Sequence, residues 1–319
     1  MRVGQNPAKN IKEVTKPNRI TVAVLNYIPF IGGFYTEMLD VLNACLSSIR
    51  ETTDLPYDLL VFDNGSCPEV VDYLVAQKNL GSIQYLMLSE QNLGKGGAWN
   101  IMLSGAPGEI IAFADNDCQF YKGWLSKSVE LLETYPNTGM VTARPYRTPP
   151  EFFTSTVEWA QSTTGVELER GQLVPFDVIH SFNLSLGQSD EYSRELIAKS
   201  EDILIRYQDV PAVIGGSHWQ FTAFKSTLAR FLPFDMDRPM GQVRQLDRRM
   251  NEEGLLRLMT AEPLVMNLSN TLPDDLRQNA AVSSKKGITN ANNRFLEMPL
   301  VKKFLLALHD RIFRLYFYK

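Results

Sequence analysis

The chain has 319 residues, with 32 basic and 36 acidic side chains and a formal charge of −4, long enough for one large α/β domain or two ordinary ones around a buried core. An apolar share of 44% with 21% charged residues excludes disordered and collagen-like classes. Arg2, Lys9, Lys12, Lys16 and Arg19 against Glu13 put +4 on residues 1–19; Lys302, Lys303, Arg311, Arg314 and Lys319 against Asp310 put +4 on residues 301–319, so residues 20–300 carry −12 and offer no cation rows to neutralise a nucleic acid.

Ile20–Leu25 is short, apolar and β-branched and reads as a buried strand. Residues 34–50 read as a helix, with Met38, Leu42, Cys45, Leu46 and Ile49 recurring at three and four. A second strand over 57–62 stops at the turn-forming Asp63-Asn64-Gly65-Ser66. Pro68 suits the first turn of a helix to about Gln77. Residues 83–88 and 110–114 are further strands, separated by a short helix over 97–104. A helix over 122–134 leads to a strand over 139–143. Such strand–helix alternation predicts an α/β fold, with a mostly parallel sheet flanked by helices on both faces.

After Pro145 the periodicity loosens, and residues 146–215 give no clear assignment. Residues 217–231 and 243–253 read as helices, 273–293 as a polar loop, and 295–318 as a basic amphipathic helix. Four segments are expected: a basic tail (1–19), a first half (20–118), a second half (119–272), and a loop with a terminal helix (273–319). Three cysteines without a CxxC pair fit a reducing compartment. With no apolar run long enough to span a bilayer or act as a leader, a soluble, cytoplasmic body is expected.

In an open parallel sheet, ligands bind beyond the carboxyl ends of the strands. Those ends carry Asn26-Tyr27, Asp63-Asn64 and Asp115-Asn116-Asp117. Two carboxylates spaced as Asp115-x-Asp117, just past a buried strand, suit a hard divalent cation shared with substrate phosphates. Asp63 has two readings, a contact to a base or ribose and simple turn chemistry. Asn92-Leu-Gly-Lys95-Gly-Gly97 precedes a helix and offers glycines and one cation to an anion. It is neither GxGxxG nor GxxxxGK[ST], so a dinucleotide site or a P-loop is not supported.

These residues carry a resemblance. Thr21–Tyr27, Leu60–Ser66, Asn92–Lys95 with Ala98 and Asn100, and Phe113–Asp117 resemble, in order and spacing, the donor half of glycosyltransferase family 2, with its GT-A fold. The resemblance spans about 100 residues and is weaker beyond them. It implies a metal-dependent, inverting transfer of a sugar from a nucleoside-diphosphate sugar, a UDP-sugar first among them, to a glycan or lipid-linked saccharide. It implies donor contacts at Asn26, Tyr27, Asp63, Lys95 and Asp115, and Mg²⁺ or Mn²⁺ at Asp115 and Asp117.

The family's catalytic base is a carboxylate in an acidic helix of the second half. Here Asp247 matches it, with Arg244 and Gln245 where acids usually precede it, and Asp235 and Asp237 are rivals on the preceding loop. Ile214-Gly-Gly216-Ser-His218-Trp219 resembles the glycine pair beside the acceptor, which implies acceptor contacts from Gly216, His218 and Trp219. Trp219 reads equally well as core. The usual downstream metal-ligand histidine is replaced by asparagines over 263–270, leaving two aspartates with phosphates and water, or His180 or His218, to complete the set.

A sugar-phosphate nucleotidylyltransferase needs a basic, glycine-rich signature after the first strand, and Asn26-Tyr-Ile-Pro-Phe30 has none. The alternative kept is a non-catalytic nucleotide-sugar or carbohydrate-binding protein derived from a transferase. The terminal amphipathic helix has two readings, packed on the body or lying on an anionic membrane surface, which would make the protein peripheral on the inner face of the membrane.

Overall fold

The computed structural model describes residues 3–237, 243–277 and Arg311; apart from Arg311, the terminal helix expected over 295–318 lies outside the described residues. The chain through Arg277 forms one compact unit. The first half runs β1 (Ile20–Asn26), α1 (Met38–Thr52), β2 (Tyr57–Asn64), α2 (Pro68–Asn79), β3 (Tyr85–Ser89), α3 (Gly94–Gly105) and β4 (Ile110–Asp115). It continues through β5 (Cys118–Phe120), α4 (Trp124–Thr134), β6 (Thr138–Thr142), α5 (Thr154–Ser162), β7 (Val166–Gly171), α6 (Phe176–Ser185), α7 (Asp190–Lys199), β8 (Asp202–Tyr207) and β9 (Val210–Ile214). Then come β10 (Gln220–Phe224), α8 (Lys225–Ala229), α9 (Arg244–Glu252), β11 (Leu256–Met259), β12 (Val265–Asn267) and α10 (Asp274–Arg277).

Ten strands form one sheet in the order β3-β2-β1-β4-β10-β6-β11-β9-β8-β7, and β12 pairs with β5. The β3-β2-β1-β4 block is parallel, as the alternation predicts, and so is β6 with β11. β10 is antiparallel to both β4 and β6, and β9, β8 and β7 extend the sheet antiparallel. Every residue of β1 is buried, because alternate side chains enter different cores on the two faces. One core collects Ala23 and Leu25, Leu60 and Phe62, Ile111 and Phe113, and Phe221 and Ala223, under α3, α8 and α9.

At the centre of that core Trp99 is fully buried, edge-on to Phe113, Phe221 and Phe234 with ring centroids 5.0, 5.7 and 5.3 Å away. Trp99→Ala is expected to cost about 3–5 kcal/mol, since a rigid aromatic cluster cannot collapse onto the void. Urea denaturation, with an unchanged slope and a lower midpoint, checks this.

The helix expected over 217–231 is instead β10 followed by the short α8. Trp219, Phe221 and Ala223 recur at period two, and the slot between β4 and β6 accepts an extended segment; the aromatic density had mimicked a helical stripe. α3 starts at Gly94 rather than Gly97, so its glycines belong to the first turn. The unassigned residues 146–215 supply three helices and three strands.

Candidate active site

The chain passes from β1 outward to β2 and β3, then returns to β4 on the other side of β1. That reversal opens a crevice at the carboxyl edge, and the register sets Asn26 level with Asp63 and Leu25 level with Asp115. A cleft of about 380 Å³ lies there, lined by Tyr27, Tyr35, Asn64, Lys95, Asp115 and Asp117 among others.

Asp63 and Asn26 are both fully buried. Asn26 Nδ2 donates to Asp63 Oδ1 (2.7 Å) and Ser66 Oγ (3.1 Å), and Ser66 N donates to Asp63 Oδ2 (3.0 Å). Asn116 Nδ2 closes the chain onto Asn26 Oδ1 at 2.7 Å. These two sequence-predicted donor contacts therefore face one another and lock the ends of β1, β2 and β4 together, while Tyr27 and Asn64 face the cleft. Gly65 (φ +86°) permits the close approach of this turn to the 91–95 loop: a Cβ there would sit 2.9 Å from the Gln91 carbonyl carbon.

Lys95 and Asp115, two of the residues expected at the donor, form an ion pair with one another. Lys95 Nζ donates to Asp115 Oδ2 at 2.7 Å, and its ammonium lies 5.5 and 5.4 Å from the Trp99 and Phe113 ring centroids. The aromatic cluster thus holds a buried cation against the first aspartate. Asp117 differs: its Oδ1 is buried and has no hydrogen-bond partner. Burial, then the charge of Asp115, pushes its carboxyl up to about 7, with Lys95 opposing. A carboxylate oxygen left without donors beside a second carboxylate fits a cation, so the residues present suit a divalent metal. Among the described residues no three His, Cys, Asp or Glu side chains gather into a metal-holding set.

The second half meets this edge through the turn entering β10. Asp115 N donates to Trp219 O at 3.0 Å, so residues 217–219 border the metal-type pair. Gly215 (φ +141°) lets the turn pass close over Met259 and Thr148: a Cβ there would sit 2.6 Å from Met259 Cε and 2.6 Å from Thr148 Oγ1. Ser217 N is pinned to Thr142 Oγ1 at 3.0 Å. His218 Nδ1 lies 2.5 Å from Asp247 Oδ2. Arg257 Nη2 lies 2.5 Å from Asp247 Oδ1 and also donates to Gly216 O. Asp247, His218 and Gly216 are therefore one cluster, tied together by an arginine with no exposed side-chain surface.

Trp219 takes the core reading, buried with its ring 5.2 Å from Phe182. His180 is engaged elsewhere, 3.2 Å from Ser193 Oγ and 3.6 Å from Asp190. The rivals Asp235 and Asp237 are exposed. Sequence reasoning missed Arg257 and Tyr146. Arg257 had a signal: a lone cation inside the apolar run Leu255-Leu-Arg-Leu-Met259 requires a buried acid. Tyr146 had none; burial pushes its hydroxyl up to about 12, with Arg257 lowering and Asp247 raising it.

Residues 33–186 match the family model described as glycosyl transferase family 2. That match covers a little under half of the chain. The chain is 26% identical over 141 residues to the glycosyltransferase AglE of Haloferax volcanii, covering 38% of this chain and 45% of that one. An uncharacterised glycosyltransferase of Nostoc sp. is 25% identical over 100 residues, covering 31% of each chain. The matches thus span less than half the length of these relatives. Among solved structures, S. aureus TarS 1–349 aligns with a TM-score of 0.46 at 12% identity, over 78% of this chain and 60% of that one. The mannosyltransferase PcManGT from Pyrobaculum calidifontis, solved with GDP-Man and Mn²⁺, aligns with a TM-score of 0.45 at 16% identity, over 78% and 58%.

Proposed function

We propose that the protein is an inverting glycosyltransferase that moves a sugar from a nucleoside-diphosphate sugar to a hydroxyl acceptor. The observation that carries this reading is the unpartnered, buried Asp117 Oδ1 beside the Lys95-bound Asp115, at the strand-order reversal of a family 2 region. Asp115 and Asp117 would hold Mg²⁺ or Mn²⁺. When bound, such an ion neutralises charge on the departing diphosphate. Lys95 fixes Asp115 and adds a positive charge to the cleft. The Asn26–Asp63–Ser66–Asn116 network keeps the cleft floor rigid, so Tyr27 and Asn64 meet the nucleotide without reorganising. The acceptor enters from the side of Gly216 and His218, where the cluster around Asp247 receives its proton.

A saccharide or lipid-linked saccharide is the acceptor class proposed, with the +4 of residues 301–319 as contact to an anionic membrane surface. No described helix is long and apolar enough to cross a membrane. A panel of UDP-glucose, UDP-GlcNAc and GDP-mannose, each with Mn²⁺ or Mg²⁺, tests the reading through release of nucleoside diphosphate. Release with at least one donor, lost on adding EDTA, is expected. Tight nucleotide binding without release from any donor would instead make the chain a non-catalytic binder.

A further inference from the structure

We propose that the acceptor's proton is taken by His218 Nε2, and that Asp247 is a positioning residue acting through it. This rests on the transfer reading above and changes the assignment of the base. Asp247 stands where a family 2 carboxylate base is expected, yet its two oxygens are already engaged: Oδ1 faces Arg257 Nη2 and Oδ2 faces His218 Nδ1, each at 2.5 Å. Only 5% of its side chain is exposed, against 21% for His218. A general base must come within about 2.6–3.2 Å of the proton it removes. An acceptor hydroxyl meets the imidazole edge before it meets the carboxylate.

The cluster also sets the orientation of the ring. Asp247 accepts the Nδ1–H, which leaves the lone pair on Nε2. Among the described residues Nε2 has no hydrogen-bond partner. The backbone supports this placement: His218 sits between Ser217, pinned to Thr142, and Trp219, whose carbonyl accepts from Asp115 N. The backbone of residues 217–219 therefore borders the strand end that carries Asp115. Arg257 anchors Asp247 from below and ties it to the Gly216 carbonyl, so the carboxylate cannot swing toward the acceptor without leaving a buried cation unpaired.

In the step, the acceptor oxygen forms its bond to the anomeric carbon as its O–H bond breaks. The proton passes to His218 Nε2, and the carbon–oxygen bond to the diphosphate breaks with its electron pair leaving on the nucleoside diphosphate. The imidazolium is stabilised by the Asp247 carboxylate and returns its proton to solvent afterwards.

The test uses the full chain and whichever donor of the panel the wild type turns over. His218→Ala is expected to lower kcat by about 10²–10⁴-fold, the usual contribution of a positioned base, with KM for the donor unchanged. Imidazole added to the buffer should restore part of that turnover, because a free base can occupy the vacated space. Asp247→Asn, which preserves shape, should lower kcat with KM unchanged and gain nothing from imidazole. His218→Gln serves as the second variant if the alanine variant does not fold. A wild type that turns over donor beside a His218→Ala or His218→Gln variant within threefold of it overturns the assignment alone, as does imidazole rescue of Asp247→Asn but not of His218→Ala. A wild type inactive with every donor overturns the transfer reading as well.

Discussion

Asp117→Asn is expected to lower donor turnover by about 10³-fold, because neutralising charge on a leaving diphosphate is worth several kcal/mol in the transition state. The fold should survive, since Asp117 Oδ1 makes no hydrogen bond to lose. Its carboxyl, raised to about 7 by burial and by Asp115, also predicts a pH dependence. Protons and the ion compete for the same oxygen, so Mn²⁺ binding to the wild type should weaken as pH falls through about 7. Without metal the sign for stability follows from the same shift. The folded chain keeps a proton on Asp117 up to about pH 7, whereas the unfolded chain releases it near the ordinary carboxylate value of about 4. Between those values unfolding becomes easier as pH rises, and added Mn²⁺ should offset the loss. Thermal melts across pH 4–8, with and without Mn²⁺, read both effects. An Asp117→Asn chain still stabilised by Mn²⁺ as strongly as the wild type would remove Asp117 from the metal site.

Asp247→Ala is expected to be among the most destabilising single changes, by about 3–5 kcal/mol, because it strands Arg257 as an uncompensated buried cation. The double variant Asp247→Leu/Arg257→Met should recover most of that loss, since apolar residues of similar volume replace a buried pair at little cost. It should not recover turnover, because His218 would then lack its orienting carboxylate. A double-mutant cycle from chemical denaturation, run beside turnover, separates the two roles. An Asp247→Ala chain within 1 kcal/mol of the wild type would show that Arg257 does not depend on Asp247 for its charge compensation.

The donor side was legible in the sequence to a greater depth than the acceptor side. Strands β1, β2 and β4 are mostly apolar runs that end in Asn26, Asp63-Asn64 and Asp115, so periodicity and turn chemistry alone bring those ends to one sheet edge. The glycine-rich start of α3 faces the same edge, whereas the Lys95–Asp115 ion pair appears only in the folded chain. Which of these polar residues face the cleft was not legible. Asp63 points into the Asn26–Ser66 network rather than outward, because three strand ends packed edge to edge must satisfy their own buried polar groups first.

Local pattern and the family resemblance thus determined the element order of the first half and the sheet edge at which Asn26, Asp63, Asp115 and Asp117 gather. Only the tertiary structure decided that β10 threads antiparallel between β4 and β6, and that this brings His218 to Asp247 and Arg257. The physical reason is range. A strand or turn is written in neighbours a few residues apart, whereas the His218–Asp247–Arg257 cluster joins side chains 29 and 10 residues apart whose meeting depends on how a mixed sheet closes. A lone arginine in an apolar strand announces that a buried acid exists, and only the packed fold says which one.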